Sequence, residues 1–284
     1  MAERTDILRA GEYFLAVQGL AMIRSCASHP SAARQRVDEI RTILDHFDDI
    51  PNSLLFPVTE YDVETGYSHW ARTYDGPNPA IEREEPIVRE LLADVAPGMA
   101  LDAACGTGRH AAWLAQLGHK VIGVDTTEAM LAIARGKVEG ADFRRGGLEA
   151  LPVDDASIDV LTCALALEHV PTLEPAFREF ARVLRPGGQA IVSDMHPMWK
   201  TTGGVARFPT DDGSPGVPFV AGFTHQLSDY IRAFLGAGFV MQGCYEPSVQ
   251  EETLALFPSS RTYPAATRQA FLGQPLIVIW HLTR

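Results

Sequence analysis

The chain has 284 residues, room for one large α/β domain with an appendage, and its 46% hydrophobic and 21% charged residues suit a globular protein and not a disordered one. Its 36 acidic and 24 basic residues give a formal charge of −12, and the dense cationic runs, Arg34/Arg36 and Arg144-Arg145, are short, so nucleic acid is not an expected partner. Cysteines at 26, 105, 163 and 244 lack Cys-x-x-Cys spacing, a pattern expected of reduced cytoplasmic thiols and not of a zinc site or disulfide scaffold.

In chain order, residues 1–60 read as a helical extension. Val37, Ile40, Leu44 and Phe47 recur at three- and four-residue spacing and make one apolar face, which Ile50-Pro51-Asn52 interrupts. The run from Gly11 to Ile23, broken by Glu12 and Gln18, has neither the core nor the flanks of a signal peptide, and no run reaches spanning length, so no membrane partner is expected. With one apolar face and no catalytic motif, this extension is expected to act as a lid or as an oligomer contact.

Residues 61–284 read as the main domain. Apolar runs at Met99–Ala104, Val121–Asp125, around Phe143, Ile158–Cys163 and Ala190–Ser193 alternate with helical stretches at Arg109–Leu117, Glu128–Arg135 and Leu173–Leu184. Such alternation predicts βαβ units, a doubly wound α/β fold with a parallel sheet covered on both faces. Residues 196–222 are rich in Gly and Pro and are expected to form a long loop that covers the cleft. A helix over Ser228–Leu235 and strands at Phe239–Tyr245 and Leu276–Leu282 follow.

The chemistry concentrates at Leu101-Asp102-Ala103-Ala104-Cys105-Gly106-Thr107-Gly108, where a strand ends and a helix begins. Gly106 and Gly108 let the backbone turn and approach a ligand. The same glycines also fit a Gly-x-Gly-x-x-Ala dinucleotide fingerprint. Asp102 argues otherwise, since an acid beside a pyrophosphate is unfavourable, whereas it suits a cationic ligand. Asp125, 17 residues after Gly108 at the end of the next strand, is placed to accept both hydrogen bonds of a ribose diol. That reading fixes an adenosine-type cofactor without choosing among such cofactors.

With these residues in order, the chain resembles the class I S-adenosylmethionine (SAM)-dependent methyltransferases, in particular the ubiquinone/menaquinone-biosynthesis-like group acting on small molecules. Five motifs carry the resemblance: Leu101–Gly108, Val124-Asp125, Gly146–Pro152, Ser157-Ile158-Asp159 and Arg182-Val183-Leu184-Arg185-Pro186-Gly187-Gly188. It implies a Rossmann-like seven-stranded sheet, mostly parallel with a reversed last strand, SAM as cofactor, and methyl transfer to an O, N or C nucleophile of a small-molecule acceptor. The family usually carries an acid at the position of Gly147, where it binds the adenine amino group; here Leu148, Thr126 and Met130 are expected to wall the adenine instead. The resemblance also implies that aromatic residues of Tyr67–Asp75, namely Tyr67, Trp70 and Tyr74, close over the methionine part, where ring faces suit a sulfonium. Ala104 and Ala164, each at the end of its strand, complete the expected cofactor set.

On the acceptor side, His169, His196 and His225 each follow an element that ends at the cleft, and histidine is the side chain able to take a proton near neutral pH. The family's histidine at the position of His169 is structural, so His196 and His225 are the candidate bases. No metal site is expected: Asp194 and His196 have no third ligand. Three alternatives stay open from the sequence: a SAM-fold protein acting as a cyclase or decarboxylase, an NAD-dependent oxidoreductase, and a non-catalytic binding protein that works through its front end.

Overall fold

The computed structural model describes residues 4–210 and 212–284. The chain begins with β1 (Arg4–Arg9), α1 (Ala10–Ser25), α2 (Pro30–Asp45), β2 (Leu55–Tyr61), α3 (Val63–Trp70) and α4 (Pro79–Ala93). The alternating core follows: β3 (Met99–Ala103), α5 (Arg109–Gln116), β4 (Lys120–Asp125), α6 (Glu128–Lys137), β5 (Asp142–Arg145), β6 (Ile158–Ala164), α7 (Glu174–Val183) and β7 (Leu184–Met195). The chain closes with α8 (Pro197–Thr201), β8 (Ala206–Arg207), β9 (Val217–Val220), α9 (Leu227–Gly236), β10 (Val240–Tyr245), α10 (Glu251–Leu254), α11 (Pro264–Phe271) and β11 (Ile277–Thr283).

Seven strands form the main sheet in the order β10-β11-β7-β6-β3-β4-β5. β11 runs antiparallel to β7, and the pairs β7–β6, β6–β3, β3–β4 and β4–β5 are parallel, as the resemblance implied. Strand order reverses beside β3, so the carboxyl ends of β3, β4 and β6 open onto one crevice. Side-chain alternation sends neighbouring residues to opposite faces. In β11, Ile277 and Ile279 join one core, while Val278, Trp280 and Leu282 join the other with Phe177, Phe180 and Phe234. Removing a ring such as Phe177, which is fully buried, would cost about 3–5 kcal/mol.

The first 60 residues are less helical than their periodicity suggests. α1 and α2 form, yet β1 and β2 flank them and enter a second sheet of order β1-β2-β9-β8. The region expected to be a loop at 196–222 supplies its other half, with α8, β8 and β9. β2 pairs in parallel with β9, Val58 opposite Val217, across more than half the chain. No window of sequence contains such a pairing, which is why local pattern did not show it.

This small sheet sets the position of α3. A Cβ on Gly66 would stand 2.3 Å from Val220 Cγ2, so only glycine allows α3 to lie so close to β9. Trp70 then stacks on Phe208 at 5.4 Å, within a cluster that includes buried Val220. α1 is tied to the other end of the chain: Phe14 meets Tyr263 edge-on at 5.2 Å, and Val17 and Ala21 pack in one core with Ala266 and Ala270 of α11.

Candidate active site

β3 ends in a run of left-handed turns: Ala104, Gly106 and Gly108 have φ of 57°, 53° and 81°. Glycine takes such angles without penalty, while Ala104 holds one at a cost of about 1–2 kcal/mol, a strain found most often at functional sites. The turn brings the Gly106 N–H to Asp125 Oδ2 at 2.8 Å, and Thr127 N–H donates to Oδ1 of the same carboxylate at 2.8 Å. Asp125 thus stands at the joint between the glycine turn and the start of α6. Burial raises its pKa, and the two N–H donors oppose that rise.

Around this joint lies a cavity of about 540 Å³. Nine expected cofactor residues line it: Tyr67, Tyr74, Ala104, Gly106, Asp125, Thr126, Met130, Leu148 and Ala164. Ala104, just past β3, and Ala164, the last residue of β6, put small side chains in the lining. Met130 and Leu148 give apolar walls beside Asp125, the surface that a purine face prefers.

Three members of the expected set fall elsewhere. Asp102 is buried and has both oxygens occupied, Oδ1 by Thr162 Oγ1 at 2.8 Å and Oδ2 by Ala111 N–H at 2.9 Å. It braces β3 against β6 and α5 and does not line the cavity. Burial raises its pKa, so it is not the free carboxylate that a cationic ligand would meet. Gly108 caps α5 and is packed on Ala134, which a Cβ would approach to 3.2 Å. Trp70 turns away to a neighbouring cavity.

That second cavity, about 480 Å³, shares Tyr67, Tyr74 and Leu165 with the first and is otherwise lined by residues such as Trp70, Trp199, Leu256 and Phe257. The shared wall is held in place. Asp75 accepts from Thr107 Oγ1 at 2.7 Å and from Lys137 Nζ at 2.8 Å, pinning the segment after Tyr74 to the glycine turn. Burial works against the Asp75 charge, but these partners prevail and hold its pKa low. Burial pushes the Tyr74 phenol up to about 12, so it stays neutral.

The histidines are distributed differently from the expectation. His196 Nε2 lies 2.8 Å from Glu246 Oε1, and its Nδ1 accepts from Met198 N–H at the start of α8. His225 Nε2 lies between the carbonyls of Leu167 and Val170, at 3.2 and 2.9 Å. Neither lines either cavity; both fasten loops. His169 does line the first cavity, bonded to Tyr67 Oη at 2.8 Å. The sequence reading assigned it to structure because the resembling family's histidine at that position is structural; its place beside the cavity comes from packing against α3.

Glu149, exposed at the cavity rim, was also missed. It is the acid of the Gly146–Pro152 motif, two residues after Gly147, and it brings a carboxylate to the cavity beside Leu148.

Residues 101–192 match a family described as a methyltransferase domain. Over 145 residues the chain is 36% identical to a malonyl-acyl-carrier-protein O-methyltransferase of Erwinia pyrifoliae, covering 49% of this chain and 53% of that one. Over 99 residues it is 42% identical to a demethylmenaquinone methyltransferase of Chlorobaculum tepidum, covering 34% of this chain and 41% of the relative. The chain therefore spans about half the length of these curated relatives. A solved S-adenosylmethionine-dependent methyltransferase from Mesorhizobium loti shares the fold, with a TM-score of 0.56 at 22% identity over 74% of this chain and 99% of that one. Residues 101–192, about a third of the chain, are thus similar to a methyltransferase domain, and the motifs at Leu101–Gly108 and Val124-Asp125 fall inside that stretch.

Proposed function

We propose that this protein transfers a methyl group from SAM to an oxygen, nitrogen or carbon nucleophile of a small-molecule acceptor. The observation that carries the proposal is the pairing of two cavities across one wall, with Asp125 at the floor of the first and Tyr67, Tyr74 and Leu165 between them. One cavity then holds the cofactor and the other presents the acceptor to it.

The residues present fit the cofactor. Asp125 accepts hydrogen bonds from the ribose diol, Met130 and Leu148 hold the adenine faces, and Glu149 reaches its amino group. The rings of Tyr67 and Tyr74 face the sulfonium end, an attraction of about 0.5–2 kcal/mol each. SAM supplies an already activated methyl group, so the protein's part is to align donor and acceptor and exclude water, effects that together account for large rate gains. Residues 1–60 serve in this reading as a cover or as a contact between copies: β2 pairs with β9 beside α3, next to the shared wall. The four free cysteines fit a reducing cytoplasm, and no helix among the described residues is long and apolar enough to cross a membrane.

The test is incubation of the full chain with methyl-labelled SAM and a panel of small phenols, amines and activated carbon acids. Label in an acceptor with matching S-adenosylhomocysteine supports the proposal. Turnover of an acceptor without S-adenosylhomocysteine would point to the cyclase or decarboxylase reading instead.

A further inference from the structure

Glu168 and His169 are adjacent in the chain yet serve different cavities: His169 lines the cofactor side, and Glu168 lines the second cavity. Glu168 is only 4% exposed. Its Oε2 takes a 2.5 Å bond from Lys200 Nζ, a side chain itself 5% exposed. Its Oε1 takes no hydrogen bond from the described residues, and His169 Nε2 stands 4.0 Å from it. Glu168 Oε1 therefore stands open at the cavity wall as an acceptor that no donor among the described residues occupies, on a side chain otherwise removed from water, where a ligand's donor gains most.

The surroundings say what kind of donor. Lys200 already neutralises Glu168, so the pair offers a cation no net attraction. Asp194, close behind, accepts a 2.5 Å bond from Tyr230 Oη at its Oδ2; burial and then the Glu168 charge push its pKa up, which favours its neutral form. Arg207, on the same cavity wall, adds a positive charge with no carboxylate partner among the described residues. A protonated amine is therefore disfavoured, and a neutral hydroxyl is what Oε1 accepts from best. The remaining walls are rings: Tyr67, Trp70, Tyr74, Trp199 and Phe257, which favour a flat, apolar body.

We propose that the second cavity binds a planar, largely apolar acceptor bearing a neutral hydroxyl, and that Glu168 Oε1 receives that hydroxyl's hydrogen bond. This rests on the methyl-transfer reading for its purpose but not for its binding chemistry. In the transfer, the O–CH3 bond would form as the S–CH3 bond of SAM breaks and its electron pair returns to sulfur; the acceptor's O–H bond breaks and the proton passes to Glu168, leaving a methyl ether and S-adenosylhomocysteine.

The experiment uses 4-phenylphenol as probe, titrated into the full chain without cofactor and followed by calorimetry and by tryptophan fluorescence. 4-Methoxybiphenyl lacks the donor, and protonated biphenyl-4-ylmethylamine carries a cation. We expect the phenol to bind about tenfold or more tighter than the ether, the worth of one hydrogen bond to a charged acceptor, and tighter than the amine. Val205→Trp, which places a ring at the wall of the cavity, should abolish phenol binding while S-adenosylhomocysteine binding is kept. Glu168→Gln should narrow the gap between phenol and ether. Equal binding of phenol and ether to the wild type, or a preference for the amine, overturns the proposal even if Glu168→Gln fails to fold. Phenol binding that survives Val205→Trp overturns the choice of cavity. Because no probe step needs SAM, a failed SAM titration sinks the methyl-transfer reading separately.

Discussion

Tyr67 Oη donates to His169 Nε2 at 2.8 Å, and the direction is fixed because His169 Nδ1 donates to the Ala221 carbonyl at 3.3 Å. A neutral ring is required for this, and burial supplies it by lowering the histidine pKa from its ordinary 6.5 against the opposing charge of Glu168. The native state thus binds this proton less readily than the unfolded chain. The stabilisation is complete above pH 6.5 and falls as pH drops below that value through the native pKa. Melting temperature should decline between pH 7 and 5 more steeply for the wild type than for His169→Gln. Parallel declines would show that the bond carries no such linkage.

Gly106 and Gly108 separate binding from stability. Both have positive φ, so alanine at either should cost about 1–2 kcal/mol of folding stability. Of the two, Gly106 lines the first cavity and Gly108 does not. Gly106→Ala is expected to weaken S-adenosylhomocysteine binding beyond its effect on folding, whereas Gly108→Ala, which crowds Ala134, should lower stability alone. Calorimetry on both variants at 10 °C, where each is folded, distinguishes the two roles; equal loss of affinity contradicts the assignment.

Glu84 anchors a buried cluster behind the glycine turn. Its oxygens meet Arg109 Nη1 at 2.6 Å, His110 Nε2 at 3.0 Å and Ser193 Oγ at 3.1 Å. Burial alone would raise its pKa, but His110 and Arg109 overcome that and hold it at about 2. Its contribution is present above the ordinary 4.5 and is lost as pH falls toward 2. Glu84→Gln leaves a buried guanidinium without its counter-charge and should cost about 3–5 kcal/mol in urea denaturation. A loss under about 1 kcal/mol would show that the cluster relaxes freely.

Much of this was written locally in the sequence. Asp125 and Gly106 were legible because a strand-end acid and a strand-helix turn are set by residues within a few positions of each other. Asp102 was misread because a strand acid can equally serve the next helix, and its donors Thr162 and Ala111 show only in three dimensions. β1 and β2 escaped notice because their partners are each other and β9, far along the chain. His196 and His225 follow the right elements, but their rings turn to Glu246 and to main-chain carbonyls. Strand ends fix where the backbone arrives and leave the side-chain direction to the loops.

A chain beginning at Glu60 would test the cover. It loses β1 and most of β2, so β9 loses its parallel partner, and Phe14 no longer packs on Tyr263. Lower solubility and a melting temperature reduced by several degrees are expected, with loss of 4-phenylphenol binding. A monodisperse, equally stable and fully active product would show that residues 1–59 are dispensable.

Asp125 provides the most direct test of the central claim that the first cavity is built for an adenosyl sulfonium cofactor. Calorimetric titration of the full chain with S-adenosylhomocysteine and, separately, with NAD should show binding of the first and not the second. Asp125→Asn keeps the size but removes the charge and turns one acceptor oxygen into an amide donor, so affinity should fall about 10- to 100-fold or more, at least the roughly 1.5–3 kcal/mol of a charged hydrogen bond. Circular dichroism would establish that the variant is folded. Tighter binding of NAD, or S-adenosylhomocysteine affinity unchanged in folded Asp125→Asn, would contradict the account.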